Sequence, residues 1–285
     1  MANLKEIRGR ITSISSTMQI TSAMKMVSAA KLKKATDAIV MLRPYSEKLQ
    51  EIIENVSSTT DLEEVGTYTA EREVKKVLFI VVTSNKGLAG AFNSSVIKVL
   101  NHAISNTKHE VEILSVGKKV YEAIRKNRTV YDNQSAIFDS MSFDAVSNFM
   151  EHVMKDYREG QFDQVFVIYN KFINAATQEV KTEQVLPIKM AEKTAGANTD
   201  YIFEPNAKEI LDVLIPKSIK TQVYKSVLDS IASEHGARMT AMHKATDNAQ
   251  ALKNDLVIFY NKARQAAITN EILEIVGGAE ALKNS

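Results

Sequence analysis

The chain has 285 residues, 45% hydrophobic and 25% charged, enough for one large or two ordinary domains and unlike a disordered or fibrous composition. Its 36 Lys and Arg against 34 Asp and Glu leave a formal charge of +2, so no overall field argues for nucleic acid or an acidic substrate. The absence of cysteine excludes a disulfide scaffold, thiolate metal sites and a Cys nucleophile, and ten Gly with four Pro predict long uninterrupted helices.

Met1-Ala2-Asn3-Leu4 enters a periodic pattern with no apolar h-region, so no processing signal is expected. Alternating steps of three and four reach Leu4, Ile7, Ile11, Ile14 and Met18, then Thr21, Lys25 and Ser28, then Leu32, Ala35, Ile39, Leu42, Ser46, Leu49, Ile53 and Val56. That is a heptad seam, weakest at Thr21-Lys25-Ser28, where Met24, Met26 and Val27 lie off register. A helix of this length spans roughly 80 Å at 1.5 Å per residue, wider than a globular domain of this size.

After an acidic stretch, Asp61-Leu62-Glu63-Glu64, the period changes. The apolar run Val77 to Val82 ends at Thr83-Ser84-Asn85-Lys86-Gly87 and predicts a buried strand meeting a turn. A helix over Ala91 to Ser105, a strand over Val111 to Val116, and helices over Gly117 to Lys126 and Phe143 to Arg158 follow. Gln164 to Tyr169 is a second buried strand with Gln178 to Leu186 as its hairpin partner, and the alternation argues for an open α/β sheet. Glu192 to Asp200 is the linker on the far side.

Asn206 caps a short predicted helix, Ala207 to Ile215, and Pro216 opens the next. From Tyr224 the walk gives Leu228, Ile231, His235, Arg238, Met242, Ala245, Ala249, Leu252, Leu256, Phe259, Ala263, Ala266, Asn270 and Leu273, with Gly277-Gly278 as the stop. Two such helices at opposite ends of one chain can bury their stripes against each other as an antiparallel coiled coil, left-handed at 3.5-residue spacing. The fold class is therefore α/β with a long terminal coiled coil. The boundaries are 1–58 for the first helix, 59–73 and 191–206 for linkers, 74–190 for a Rossmann-like central domain and 207–285 for the C-terminal helices.

Little chemistry is legible. The loop Lys86-Gly87-Leu88-Ala89-Gly90 precedes a helix, but it lacks the dinucleotide and P-loop spacings and no acidic residue ends the next strand. The five His show no metal-binding spacing, no nucleophile elbow appears, and the scattered carboxylates read as solvated helix faces. Hence neither catalysis nor a cofactor or metal is expected. One local charge stands out: residues 1–34 carry Lys5, Arg8, Arg10, Lys25, Lys31, Lys33 and Lys34 against Glu6 alone. The uncharged Ser, Thr and Met-rich stretch between the two basic groups suits a smooth contact surface for a partner. The same residues also allow a freestanding coiled-coil adaptor or scaffold with an α/β head, and a nucleotide-binding enzyme using the Gly87–Gly90 loop.

Three groups of residues resemble one family, the γ subunits of rotary F-type ATP synthases. They are Ile7 to Ile11 with Gln19 to Lys31, Arg43-Pro44-Tyr45 with Lys86 to Gly90 and Asn93, and, most specifically, Ser233 to Met239, Ala245 to Ala249 and Ala263 to Ala279. The resemblance implies a rotor shaft inside a ring of α and β subunits, with ε and the membrane c-ring at the central domain, turned by ion flow and changing nucleotide affinity at catalytic sites on β. It implies a non-catalytic subunit, peripheral on the cytoplasmic face of a bacterial plasma membrane, with no direct small-molecule substrate. It implies contacts to β-subunit loops from Arg8, Met24, Lys25, Arg238, Arg264, Gln265 and Thr269, with Glu271 and Glu274 nearby, and a docking loop at Lys86, Gly87, Gly90 and Asn93. Arg238 has a structural alternative, filling the seam opposite Thr21, Lys25 and Ser28. The chloroplast type's Cys-bearing regulatory insertion has no counterpart in a chain without cysteine.

Overall fold

A computed structural model describes residues 4–58, 68–70, 72–188, 204 and 206–283. The expected linkers at 59–73 and 191–206 fall largely outside the described residues, as do Met1 to Asn3. Eleven elements follow in chain order: α1 (Leu4–Ser58), β1 (Lys76–Val82), α2 (Phe92–Asn106), β2 (Glu110–Val116), α3 (Lys118–Ile124), β3 (Val130–Asn133), a 3-10 turn (Ser135–Phe138), α4 (Phe143–Arg158), β4 (Gln164–Phe172), β5 (Gln178–Leu186) and α5 (Ala207–Lys283). Two compact units result, one of residues 1–27 and 239–285, the other of residues 28–238, so the division cuts both long helices.

In the larger unit the sheet runs β3-β2-β1-β4-β5, parallel except for β5, which closes a hairpin with β4. Period-2 alternation along β1 sends Leu78, Ile80 and Val82 to one face and Val77, Phe79 and Val81 to the other. Val96 and Leu100 of α2 with Val120 and Ile124 of α3 cover the second face. The first is covered by α4, by Leu49, Ile53 and Val56 of α1, and by Leu211, Ile215, Ile219, Val223 and Val227 of α5. Ala35 and Ile39 of α1 meet Leu228 and Ala232 of α5 in a smaller core.

Every step of the heptad walk along α1 is buried or half-buried, the polar ones included: Thr21 and Ser28 are buried and Lys25 half-buried, while Met26 (64% exposed) and Val27 (57%) point outward. In the smaller unit the two helices meet through polar contacts as well. Thr21 and Thr246 hydroxyls share a hydrogen bond of 2.8 Å, and the Arg8 guanidinium donates to Tyr260 Oη at 2.8 Å.

The expectations for α5 need four corrections. Pro216 does not start a second helix, because one 77-residue helix runs through it. The missing N–H costs roughly 3 kcal/mol, but Leu211, Ile215, Ile219 and Val223 bury one continuous i, i+4 stripe that a break would misalign. The Asn206 cap does form, accepting from Glu209 N at 2.8 Å while its amide donates to Glu209 Oε1 at 2.7 Å. Gly277-Gly278 does not stop the helix, which continues to Lys283. The seam also changes phase: Leu252 (51% exposed) and Phe259 (49%) face outward, and Lys253, Leu256, Tyr260, Ala263 and Ala267 are the half-covered positions. Two consecutive four-residue steps, Ala245 to Ala249 to Lys253, followed by a three-residue step to Leu256, make a local 11-residue spacing and shift the stripe. Beyond Ala267 every position to Glu280 is exposed, so Asn270 and Leu273 are not seam residues.

Candidate functional site

The loop after β1 lies at the carboxyl end of the sheet, where the strand order reverses between β1 and β4. Open α/β sheets usually bind ligands at such a place. Its polar residues tie it inward. Asn93 Oδ1 accepts from the Ser84 backbone N–H at 3.0 Å, and Ser84 Oγ donates to the Lys86 carbonyl at 2.5 Å. Asn85 Oδ1 accepts from Lys118 N at 2.9 Å, its amide donates to Ser135 O at 2.9 Å, and Thr83 Oγ1 accepts from Val120 N at 3.1 Å. The N–H groups of Ser84, Lys118 and Val120 are thus engaged by side chains of the same fold, which ties the strand end to the start of α3. Gly90 (φ +57°) supplies a left-handed turn, and Leu88 adopts φ +63° with its side chain mostly exposed.

Into this crevice comes Arg238 of α5. Its guanidinium donates to the carbonyls of Lys86 at 3.2 Å and Gly87 at 3.3 Å, and it pairs with Glu234 Oε1 at 2.6 Å. Both side chains are nine-tenths covered. Burial pushes the Glu234 carboxyl up, with Arg238 pulling it back down. His235, half-buried beside them, is lowered to about 4 by burial first and then by Arg238 and Lys31. Two further contacts seat the β4–β5 hairpin on the same stretch of helix: Ser233 Oγ donates to Asn170 O at 3.0 Å, and a Cβ on Gly236 would stand 3.2 Å from the Ala175 backbone.

The structure thus gathers Lys86, Gly87, Gly90, Asn93 and Arg238 into one constellation that the sequence had kept apart. Within the smaller unit the partner of Thr21 is Thr246. Met24 and Lys25 are half-buried on α1, and Arg8 is exposed over the Tyr260 ring at 5.7 Å. Arg264, Gln265, Thr269, Glu271 and Glu274 are all exposed along α5, with the Thr269 hydroxyl returned to Gln265 O at 2.9 Å. Sequence reasoning missed Thr83, Ser84, Asn85 and Gly117. The Thr-Ser-Asn run at a strand end was the available signal, because side chains of that kind hydrogen-bond nearby backbone. Among the described residues no group of His, Asp and Glu could hold a metal, and no helix is long and apolar enough to cross a membrane.

The family model described as ATP synthase matches residues 3–282. Among curated relatives, the ATP synthase gamma chain of Flavobacterium psychrophilum is 59% identical over 99% of this chain and all of its own length. That of Flavobacterium johnsoniae is 58% identical over 99% of each. The chain belongs to the ATP synthase gamma chain family. More distant family members keep the same coverage: the gamma chain of Geobacter sp. is 42% identical over 99% of this chain and 100% of its own. Among solved structures, a chain of the Tetrahymena thermophila mitochondrial ATP synthase central stalk/c-ring is 26% identical, with a TM-score of 0.61 over 79% of this chain and 99% of that one. A chain of the Euglena gracilis mitochondrial ATP synthase, in its OSCP/F1/c-ring structure, shares the fold, with a TM-score of 0.69 at 21% identity over 98% and 94%. The gamma chain family therefore accounts for the paired terminal helices and the central mixed sheet together.

Proposed function

We propose that the chain is the central rotor shaft of an F-type ATP synthase. In this reading the terminal helices turn inside a ring of α and β subunits, the central domain meets ε and the membrane c-ring, and ion flow drives ATP synthesis, or hydrolysis in reverse. ATP chemistry belongs to the β subunits, and the complex sits on the cytoplasmic face of a bacterial plasma membrane with this chain peripheral. The observation that carries the reading is the end of α5, where Ile268, Ile272, Leu273, Ile275 and Val276 are all exposed on a regular helix. Such an apolar tip suits a surrounding sleeve of protein. The exposed Arg264, Gln265, Thr269, Glu271 and Glu274 would hydrogen-bond β-subunit loops beside it. Met24, Lys25 and Arg8, on a basic helix, would face acidic loops further along, and the outward Leu88 would let the Lys86–Gly90 loop dock.

A shaft of this kind acts as an asymmetric ligand. Three β subunits of identical sequence see three different faces, and each site shifts between open and closed states only by the difference in contact free energy. Moving a site from mostly open to mostly closed takes about 5.5 kcal/mol of difference, which a few buried apolar side chains and charge-assisted hydrogen bonds can supply. Purification of the complex from membranes with an ATPase assay tests the proposal. The chain is expected in stoichiometric company with α and β, and its absence from an active α/β complex would overturn the reading.

A further inference from the structure

In the larger unit a cleft of about 710 Å³ opens between α1, the β4–β5 hairpin and α5. Its walls bring the carboxylates of Glu47, Glu51, Glu183 and Asp229 together with only two ammonium groups, Lys171 and Lys225. Two of the carboxylates already have donors: Glu51 accepts from Lys48 Nζ at 2.6 Å and Glu183 from Tyr169 Oη at 2.8 Å. Asp229 has none. It is 6% exposed, lines the cleft, and makes no hydrogen bond or ion pair with the described residues. The charged groups that face it are Lys225 on its own helix, Lys171 and Glu183 on the hairpin, and Arg43 on α1. Burial outweighs the attraction of those three cations and lifts the carboxyl to about 6. With no donor in direct contact among the described residues, the carboxylate keeps its acceptor oxygens open toward the cleft, where a ligand's N–H groups can reach them.

We propose that this cleft binds an alkylammonium group, with Asp229 as its counter-ion and hydrogen-bond acceptor. The apolar surface of Leu49, Val185 and Ile188 in the same walls receives the carbon chain, and Glu47 offers a second acidic group to a diamine. An anion would meet twice as many carboxylates as lysines, and no metal-binding cluster of His, Asp and Glu exists among the described residues. The ammonium comes either from a free aliphatic amine or from a lysine of another subunit. The binding of an ammonium group stands independently of the rotor reading, and its supply by another subunit's lysine rests on that reading.

The test is calorimetric titration of the full-length chain with butane-1,4-diamine. One site per chain is expected, weakened about tenfold or more in Asp229→Asn, which deletes a charge-assisted hydrogen bond without adding bulk. Affinity is expected to fall as Asp229 takes up a proton between roughly pH 7.5 and pH 5.5. Asp212→Asn, an exposed carboxylate on the same helix, should leave binding unchanged. No binding up to about 10 mM, or equal affinity in Asp229→Asn, overturns the proposal. A diamine that still binds the assembled complex identifies a free amine as occupant, and carbodiimide coupling of Asp229 to a lysine of another subunit identifies a side chain.

Discussion

Asp229 and His235 stand six residues apart on α5 and are displaced in opposite senses, to about 6 and about 4. The folded Asp229 holds its proton more tightly than an unfolded carboxyl near 3.9, so stability falls as pH rises from about 4 to about 6. The folded His235 holds its proton less tightly than an unfolded imidazole near 6.5, so stability falls as pH drops from about 6.5 to about 4. Each shift amounts to on the order of 3 kcal/mol at ~1.4 kcal/mol per unit, and over the shared window the two oppose. Urea midpoints measured across this range should therefore separate the two groups. Asp229→Asn should lose stability toward acid, and His235→Gln should lose it toward neutrality; parallel curves for both variants would refute the assignment. Gly117 is a harder case, since at φ +118° a Cβ would lie 2.2 Å from Thr83 O. Gly117→Ala should cost roughly 3 kcal/mol in the same urea experiment, and a loss below about 1 kcal/mol would mean that the turn can relax. None of this was legible from the sequence. Burial at Asp229 is created by the hairpin and α1, whose residues lie far away in the chain.

At the scale of elements, the sequence was most readable where one period persisted. The α1 seam held through Thr21 and Ser28 because position on the helix, not the hydropathy of a single residue, decides which side faces the partner helix. It was least readable where packing overrode a local signal, as at Pro216, or where the period slipped by one residue, as after Ala249. The four-residue β3 was invisible because an edge strand with Asp132 and Asn133 exposed carries no apolar run. The phase shift in α5 predicts unequal alanine substitutions. Met242→Ala, at a buried position, should cost about 2–4 kcal/mol, and Leu252→Ala, on the outward face, no more than about 0.5 kcal/mol. Thermal denaturation of the full-length variants measures both, and equal losses would restore the unbroken heptad.

At the scale of the whole molecule, the exposed end of α5 separates stability from function. Truncation after Ala267 removes residues that stay exposed to Glu280, so the melting temperature should change by no more than about 2 °C. The proposed assembly should nevertheless weaken, read as loss of α and β on co-purification. Met24→Lys is a complementary probe: a new cation beside the proposed β loop should lower proton pumping per ATP hydrolysed, and an unchanged ratio would remove Met24 from the contact. The constellation at Arg238 has a mechanical consequence. Ser233, Glu234, Gly236 and Arg238 occupy more than one full turn of α5 and touch a hairpin carbonyl, each other, a backbone and two loop carbonyls. A helix held by the hairpin on one side and by the Lys86–Gly87 carbonyls on another cannot roll about its own axis without breaking contacts on both. Those residues form a keyed joint, and any elastic wind-up under torque must be stored in turns of α5 that are held on one side alone.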